Sequence, residues 1–133
     1  GPVLFKPGLT EETEAPMAPG MKYTHYSPVE PVLIVAKDGP GWERAIHQCE
    51  AAGERVGLLA SEEIIHAFKS ETTVTFSLGK SGDSVTASKR LFKGLRFFEE
   101  TEATVILAEA YDREGIGEAY MNRLEKAAAN KYI

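Results

Sequence analysis

Cysteine is nearly absent from this chain of 133 residues: Cys49 stands alone. A single thiol excludes an internal disulfide and any zinc site built on cysteines, and it suits a reducing, cytoplasmic setting. No apolar run approaches the roughly 20 residues needed to cross a bilayer, so no membrane partner is expected. A signal-peptide pattern is missing as well, because the short apolar stretch Val3–Phe5 is broken at once by Lys6 and Pro7. Basic residues are not in excess either: 15 Lys and Arg stand against 20 Asp and Glu, for a formal charge of −5. That balance argues against direct nucleic-acid binding through bulk electrostatics. What is present is ordinary globular material, 43% hydrophobic and 26% charged, in a length that suits one core.

Proline is distributed unevenly. Six of the seven prolines (Pro2, Pro7, Pro16, Pro19, Pro28 and Pro31) fall within residues 1–31, beside an acidic cluster of Glu11, Glu12 and Glu14. Each proline fixes φ and removes a donor, so this stretch is expected to run extended, with at most a helical turn near Thr10–Ala15. Residues 1–31 therefore read as an arm or linker, and 32–133 as the folded body.

From residue 32 the pattern is periodic. Val32-Leu33-Ile34-Val35-Ala36 is a continuous apolar run rich in β-branched residues, as in a strand covered on both faces. Trp42, Ala45, Ile46, Cys49 and Ala52 then recur at helical spacing, closed by Gly53 as a left-handed cap. Val56–Ala60 reads as a second strand, and Ser61 as N-cap of a short helix presenting Ile64, Ile65 and Phe68. Thr73–Ser77 is a third, more polar strand. Asp83 or Ser84 caps a long helix to about Glu100, with Ala87, Leu91, Leu95 and Phe98 as its stripe and Gly94 allowing close packing. Val105–Ala108 is the fourth strand. A last helix, from about Gly117 to Asn130, buries Tyr120, Met121, Leu124 and Ala128. Strands alternating with helices imply right-handed crossovers, hence a small Rossmann-like three-layer α/β/α domain with a mainly parallel sheet. Ligands in such sheets sit beyond the carboxyl ends of the strands. Strand order is not fixed by the pattern; with order 3-2-1-4 the crevice would lie between Lys37-Asp38-Gly39 and Glu109-Ala110-Tyr111.

Catalytic signatures are weak. Gly39-Pro40-Gly41 begins like a dinucleotide fingerprint, but Pro40 has no amide to donate and Arg44 occupies the third glycine position. Gly115-Ile116-Gly117 opens the last helix; its amides are a candidate anion site, although a plain glycine helix start is the commoner explanation. Lys89, Arg90, Lys93 and Arg96 form a basic stripe that reads first as a solvated face. His47 and His66 lack partners at metal-ligand spacing, and Cys49 falls on an apolar stripe as an inert thiol. The exception is Gly20–Pro28, where Lys22, Tyr23, His25 and Tyr26 crowd into five residues of a proline-rich arm with no core to demand aromatics. Tyrosine offers a flat apolar face with a polar tip, and lysine and histidine pair with phosphate or carboxylate. Such a segment suits lying across another surface, or strapping its own domain.

Pro19-Gly20-Met21-Lys22-Tyr23-Thr24-His25-Tyr26-Ser27-Pro28 closely resembles the interdomain linker of the two-domain L-threonylcarbamoyladenylate synthases. Ala87–Phe92 with Leu95-Arg96, and Gly115–Leu124 with Lys126–Ala128, are similar to motifs of that family's C-terminal accessory domain. Val3–Gly8 resembles the tail of the preceding catalytic domain, with Lys6 where arginine is usual, and Tyr120 stands where an aliphatic is more usual. The resemblance implies that a separate N-terminal YrdC-like catalytic domain, the partner of this fragment, uses L-threonine, bicarbonate and ATP with a magnesium ion. It forms threonylcarbamoyl-AMP for the threonylcarbamoyladenosine modification of tRNA. The fragment itself would bind no cofactor and carry no catalytic residue or metal. Lys22, Tyr23, His25 and Tyr26 would gate the cleft of the missing domain. The alternatives are a stand-alone nucleotide-binding module and a protein-interaction module.

Overall fold

The computed structural model describes residues 28–133. Its elements follow in strict alternation: β1 (Val32–Val35), α1 (Trp42–Ala51), β2 (Val56–Ala60), α2 (Glu62–Phe68), β3 (Val74–Ser77), α3 (Ser84–Phe98), β4 (Val105–Glu109) and α4 (Ile116–Ala128). The four strands form one parallel sheet in the order β1-β4-β2-β3. This is the expected α/β class with three layers. The order 3-2-1-4 is not the one found, because β4 inserts between β1 and β2. Periodicity could not reveal this, since which strands pair is decided by contacts distant in sequence. β4 is the strand suited to a central place, with Val105 through Ala108 all buried.

Side-chain alternation divides the core between the two faces of the sheet. Ile34, Leu59, Ile106 and Ala108 point to the face covered by α3 and α4, where Leu91, Leu95, Phe98, Tyr120 and Leu124 meet them. Val35, Val56, Leu58, Val105 and Leu107 point to the other face, against Ala45 and Cys49 of α1. The second layer is thinner. Trp42, Ile46, Ile65 and Phe68 only partly bury there, and α2 contributes no fully buried residue.

The helix ends obey local chemistry. Gly53, at φ 89°, closes α1 in a Schellman motif: Glu54 N donates to the Cys49 carbonyl at 3.0 Å, and Gly53 N to that of Glu50. Asp83 caps α3, accepting from Thr86 N at 3.0 Å and from Thr86 Oγ1 at 2.8 Å. Ser61 occupies the N-cap position of α2, but its hydroxyl makes no capping bond. After α4, Ala129 and Asn130 take left-handed conformations and turn the chain back. Residues 131–133 then run beside edge strand β1, with Ile34 N donating to Lys131 O and Ile133 N to Ile34 O, both at 2.9 Å.

Candidate functional site

The carboxyl edge of the sheet gathers the turns after all four strands. Because β4 lies between β1 and β2, its loop faces both neighbours. Toward β1, Lys37 Nζ and Asp112 Oδ1 pair at 2.7 Å, an exposed bridge that closes the gap between the two turns and contributes little stability. Toward β2, the Glu109 carboxylate accepts a 2.7 Å bond from the Ser61 amide. Tyr111, also at this edge, has its ring against Tyr120 (centroids 4.7 Å apart) and its amide donating to Met121 Sδ. The Tyr120 hydroxyl donates to the Glu109 carbonyl at 2.7 Å. Burial, with the charges of Glu109, Asp83 and Glu63, raises the Tyr111 phenol well above its ordinary pKa, so it stays a hydroxyl.

Gly115 and Gly117, the candidate anion residues, sit at the mouth of α4. Gly115 is its N-cap at φ 59° and ψ −128°, a conformation that glycine accepts and other residues resist. Gly117 is buried, and a Cβ added there would stand 1.9 Å from the Asp112 carbonyl oxygen. The Gly117 amide already donates to Glu114 O and the Glu118 amide to Gly115 O. Both glycines thus have a backbone reason for their positions.

Of the basic stripe, Lys89, Lys93 and Arg96 are exposed, whereas Arg90 is engaged. Its guanidinium lies 4.6 Å from the centroid of the Phe76 ring, and its Nε donates to Ser77 O at 2.8 Å. His47 and His66 are exposed. His47 lines an open groove of about 1030 Å³ between α1 and α2, with Arg44, Glu50 and Phe68. Cys49 is buried, and desolvation, aided by Glu54 and Glu50, pushes its thiol pKa up, the opposite of what a nucleophile needs. Lys22, Tyr23, His25 and Tyr26 lie outside the described residues. Among the features that the sequence did not disclose are the bare hydroxyls of Ser61 and Tyr111. Ser61 reads as a cap and Tyr111 as the wall of a crevice; which atoms they meet depends on neighbouring strands.

The family model described as the C-terminal domain of threonylcarbamoyl-AMP synthase matches residues 3–129. The chain belongs to this family. Relatives named threonylcarbamoyl-AMP synthase include one from Bacillus subtilis, 35% identical over 133 residues, which covers all of this chain and 38% of the relative. Another, from Pyrococcus abyssi, is 35% identical over 122 residues, covering 87% of this chain and 33% of the relative. The chain thus spans about a third of the length of the curated relatives it matches. Among solved structures, P. abyssi Sua5 complexed with L-threonine matches with a TM-score of 0.67 and 34% identity, over 87% of this chain and 33% of that one. The isolated C-terminal Sua5 domain of Pyrococcus horikoshii matches with a TM-score of 0.57, covering 80% of this chain and 98% of that one. At 24% identity it shows the fold alone.

Proposed function

We propose that this chain is the C-terminal accessory domain and linker of a two-domain threonylcarbamoyl-AMP synthase. In the whole protein, a preceding YrdC-like domain of the same chain would join L-threonine, bicarbonate and ATP into threonylcarbamoyl-AMP, releasing pyrophosphate. The product would serve the threonylcarbamoyladenosine modification of tRNA. The observation that carries this reading is the family match over residues 3–129, in a chain that spans 38% and 33% of its two relatives above. ATP and magnesium are assigned to the preceding domain. Among the described residues no group of three His, Cys, Asp or Glu side chains is placed to hold a metal ion.

The part that this fragment plays in the reaction is assigned to its arm. Lys22, Tyr23, His25 and Tyr26 would lie over the catalytic cleft: the tyrosines as flat lids that exclude water, Lys22 and His25 as donors to an anionic group. A structure exists of P. abyssi Sua5 with a histidine and the tyrosine next to it both replaced by alanine. In this chain histidine and tyrosine adjoin once, at His25-Tyr26. The α/β body would anchor the arm, with Pro31 joining directly to β1.

The test is threonine- and bicarbonate-dependent release of pyrophosphate from ATP. The 133-residue chain alone should show none, and turnover by it would overturn the reading. In the whole protein, replacing His25 and Tyr26 by alanine should lower kcat/KM by at least about tenfold, the loss of one charge-assisted hydrogen bond, while leaving Tm unchanged. Unaltered kinetics would remove the gate from the proposal.

A further inference from the structure

The outer surface of the α3/α4 layer carries positive charge across both helices. Lys89, Lys93 and Arg96 share one side of α3, at i, i+4 and i+7, and Arg123 and Lys126 share one side of α4, at i and i+3. All five are exposed. Arg123 Nη1 donates to Ser88 Oγ at 3.1 Å, which brings the two helix surfaces together. One turn further along each helix, Phe92 and Ala127 half-bury against the core.

The nearby acids are engaged elsewhere. Asp83 accepts from the Thr86 amide and hydroxyl, and Glu118 and Glu125 of α4 are drawn to Arg113. None of the five cations forms an ion pair among the described residues, whose bridges use Lys37, Arg55 and Arg113. Arg96 and Lys126 lie in the last turns of their helices, where the dipole favours a cation. Lys89 and Lys93 lie mid-helix without that reason, and like charges at i,i+4 repel by about 0.2–0.5 kcal/mol. A merely solvated helix face interleaves acids with its bases; here acids return only at Glu99 and Glu100, past the end of α3.

The counter-charge is present in the chain ahead of residue 28. Glu11, Glu12 and Glu14 fall within four residues that hold no base, flanked by apolar Leu9 and Met17. Lys89 and Arg96 are about 10.5 Å apart along α3, at 1.5 Å per residue. Glu11 and Glu14 in an extended chain are about 10 Å apart, so the two charge rows match in length. Glu14 and Pro28 are separated by 14 residue steps, a reach of up to about 45 Å. That exceeds three times the radius of gyration of about 13 Å expected for a body of this size. Tethering at roughly millimolar effective concentration also lets several exposed pairs, each worth about 0.2–1 kcal/mol, hold the contact.

We propose that the acidic segment Glu11-Glu12-Thr13-Glu14 docks on the basic face formed by Lys89, Lys93 and Arg96 of α3 with Arg123 of α4, its apolar flanks beside Phe92. The arm is then a loop fixed at both ends, by this contact and by β1, with Lys22–Tyr26 between them. The docking belongs to the 133-residue chain itself and does not depend on the proposed function.

The test is a nitroxide on Thr13→Cys of the 133-residue protein, read by paramagnetic broadening of backbone amides; Cys49 is buried and stays unlabelled. At low salt the amides of Lys89, Lys93, Arg96 and Arg123 should lose signal, while those of α1 keep theirs. The loss should disappear in 1 M salt, where the screening length falls to about 3 Å. Replacing Glu11, Glu12 and Glu14 by glutamine, outside the folded body, should abolish it, as should Lys89→Glu with Lys93→Glu. Glu11→Lys, Glu12→Lys and Glu14→Lys should restore it to the charge-reversed body. No loss at α3 and α4, equal loss at α1, or loss that persists through the glutamine variant would overturn the proposal. So would loss that arises between labelled and unlabelled copies in a mixture, which would make the occupant a second molecule. Inorganic polyphosphate that shifts these amides in a protein whose label broadens none of them would assign the face to a phosphate polymer instead. Pyrophosphate release does not enter these readouts, so the docking and the proposed function fail separately.

Discussion

Gly117 and Asp112 touch through their backbones: a Cβ on Gly117 would stand 1.9 Å from the Asp112 carbonyl oxygen and 3.0 Å from its carbon. The obstacle is main chain, so no side-chain rotation relieves it. Gly117→Ala should therefore destabilise by about 3 kcal/mol, despite alanine's higher helix propensity. Gly115→Ala meets no atom within 4 Å, but its φ of 59° and ψ of −128° are strained for an L-residue. It should cost about 1–3 kcal/mol. Urea unfolding of both variants checks the order; an unaffected Gly117→Ala would show that the α4 entry relaxes.

This pair also marks what could be read from the sequence. Gly115-Ile116-Gly117 is visibly a helix opening, yet the reason for Gly117 is an oxygen five residues earlier, brought back by the loop. Elements whose signals are local were legible: the β-branched run at β1, the stripe Ala87, Leu91, Leu95 and Phe98 on α3, the Gly53 cap. Gly94 was readable as a close approach, and a Cβ there would come within 2.5 Å of Leu59 Cδ1. The order β1-β4-β2-β3 was not legible, since β1, β2 and β4 carry equivalent apolar runs and only tertiary packing chooses their neighbours. Ser61 shows both limits at once: its position as an N-cap is in the sequence, its idle hydroxyl is not. The aromatics at 22–26 stand out in the sequence because a proline-rich stretch has no core to demand them, and they lie outside the described residues.

Asp83 links stability to acidity. Its bonds from the Thr86 amide and hydroxyl hold its carboxyl below the usual pKa. A group depressed on folding contributes stability that is present above its unfolded pKa, about 3.9, and is lost as pH falls through the folded value. Asp83→Asn, still a good cap, should match the parent's Tm at neutral pH and flatten the decline below about pH 4. Asp83→Ala should lower Tm by a few degrees at neutral pH. Calorimetric Tm between neutrality and acid checks both, and identical acid limbs for parent and Asn variant would refute the linkage.

The C-terminal residues guard a sheet edge. Lys131 and Ile133 exchange two backbone bonds with Ile34, and the Tyr132 hydroxyl donates to Glu125, which also pairs with Arg113. Deleting 131–133 should cost about 2 kcal/mol from the two backbone bonds and expose β1 as an unpaired edge. Light scattering should then show concentration-dependent association. A truncated chain of parent stability that stays monodisperse would mean that the tail is an ornament.

At the opposite edge, β3 has one neighbour in the sheet, β2, and its residues are all only partly buried. Arg90 covers its end, giving Nε to the Ser77 carbonyl while its guanidinium lies over Phe76. Both interactions need a planar, donor-bearing plate, so lysine is a poor substitute. Arg90→Ala should destabilise by about 1–2 kcal/mol, and Arg90→Lys should recover less than half of the loss. Backbone amide exchange at Val74–Ser77 should quicken in both variants while that of β4 holds. Full rescue by lysine would reduce the role of Arg90 to its charge, in which case rising salt should erase the difference between parent and alanine variant, whereas stacking and the carbonyl bond persist in salt.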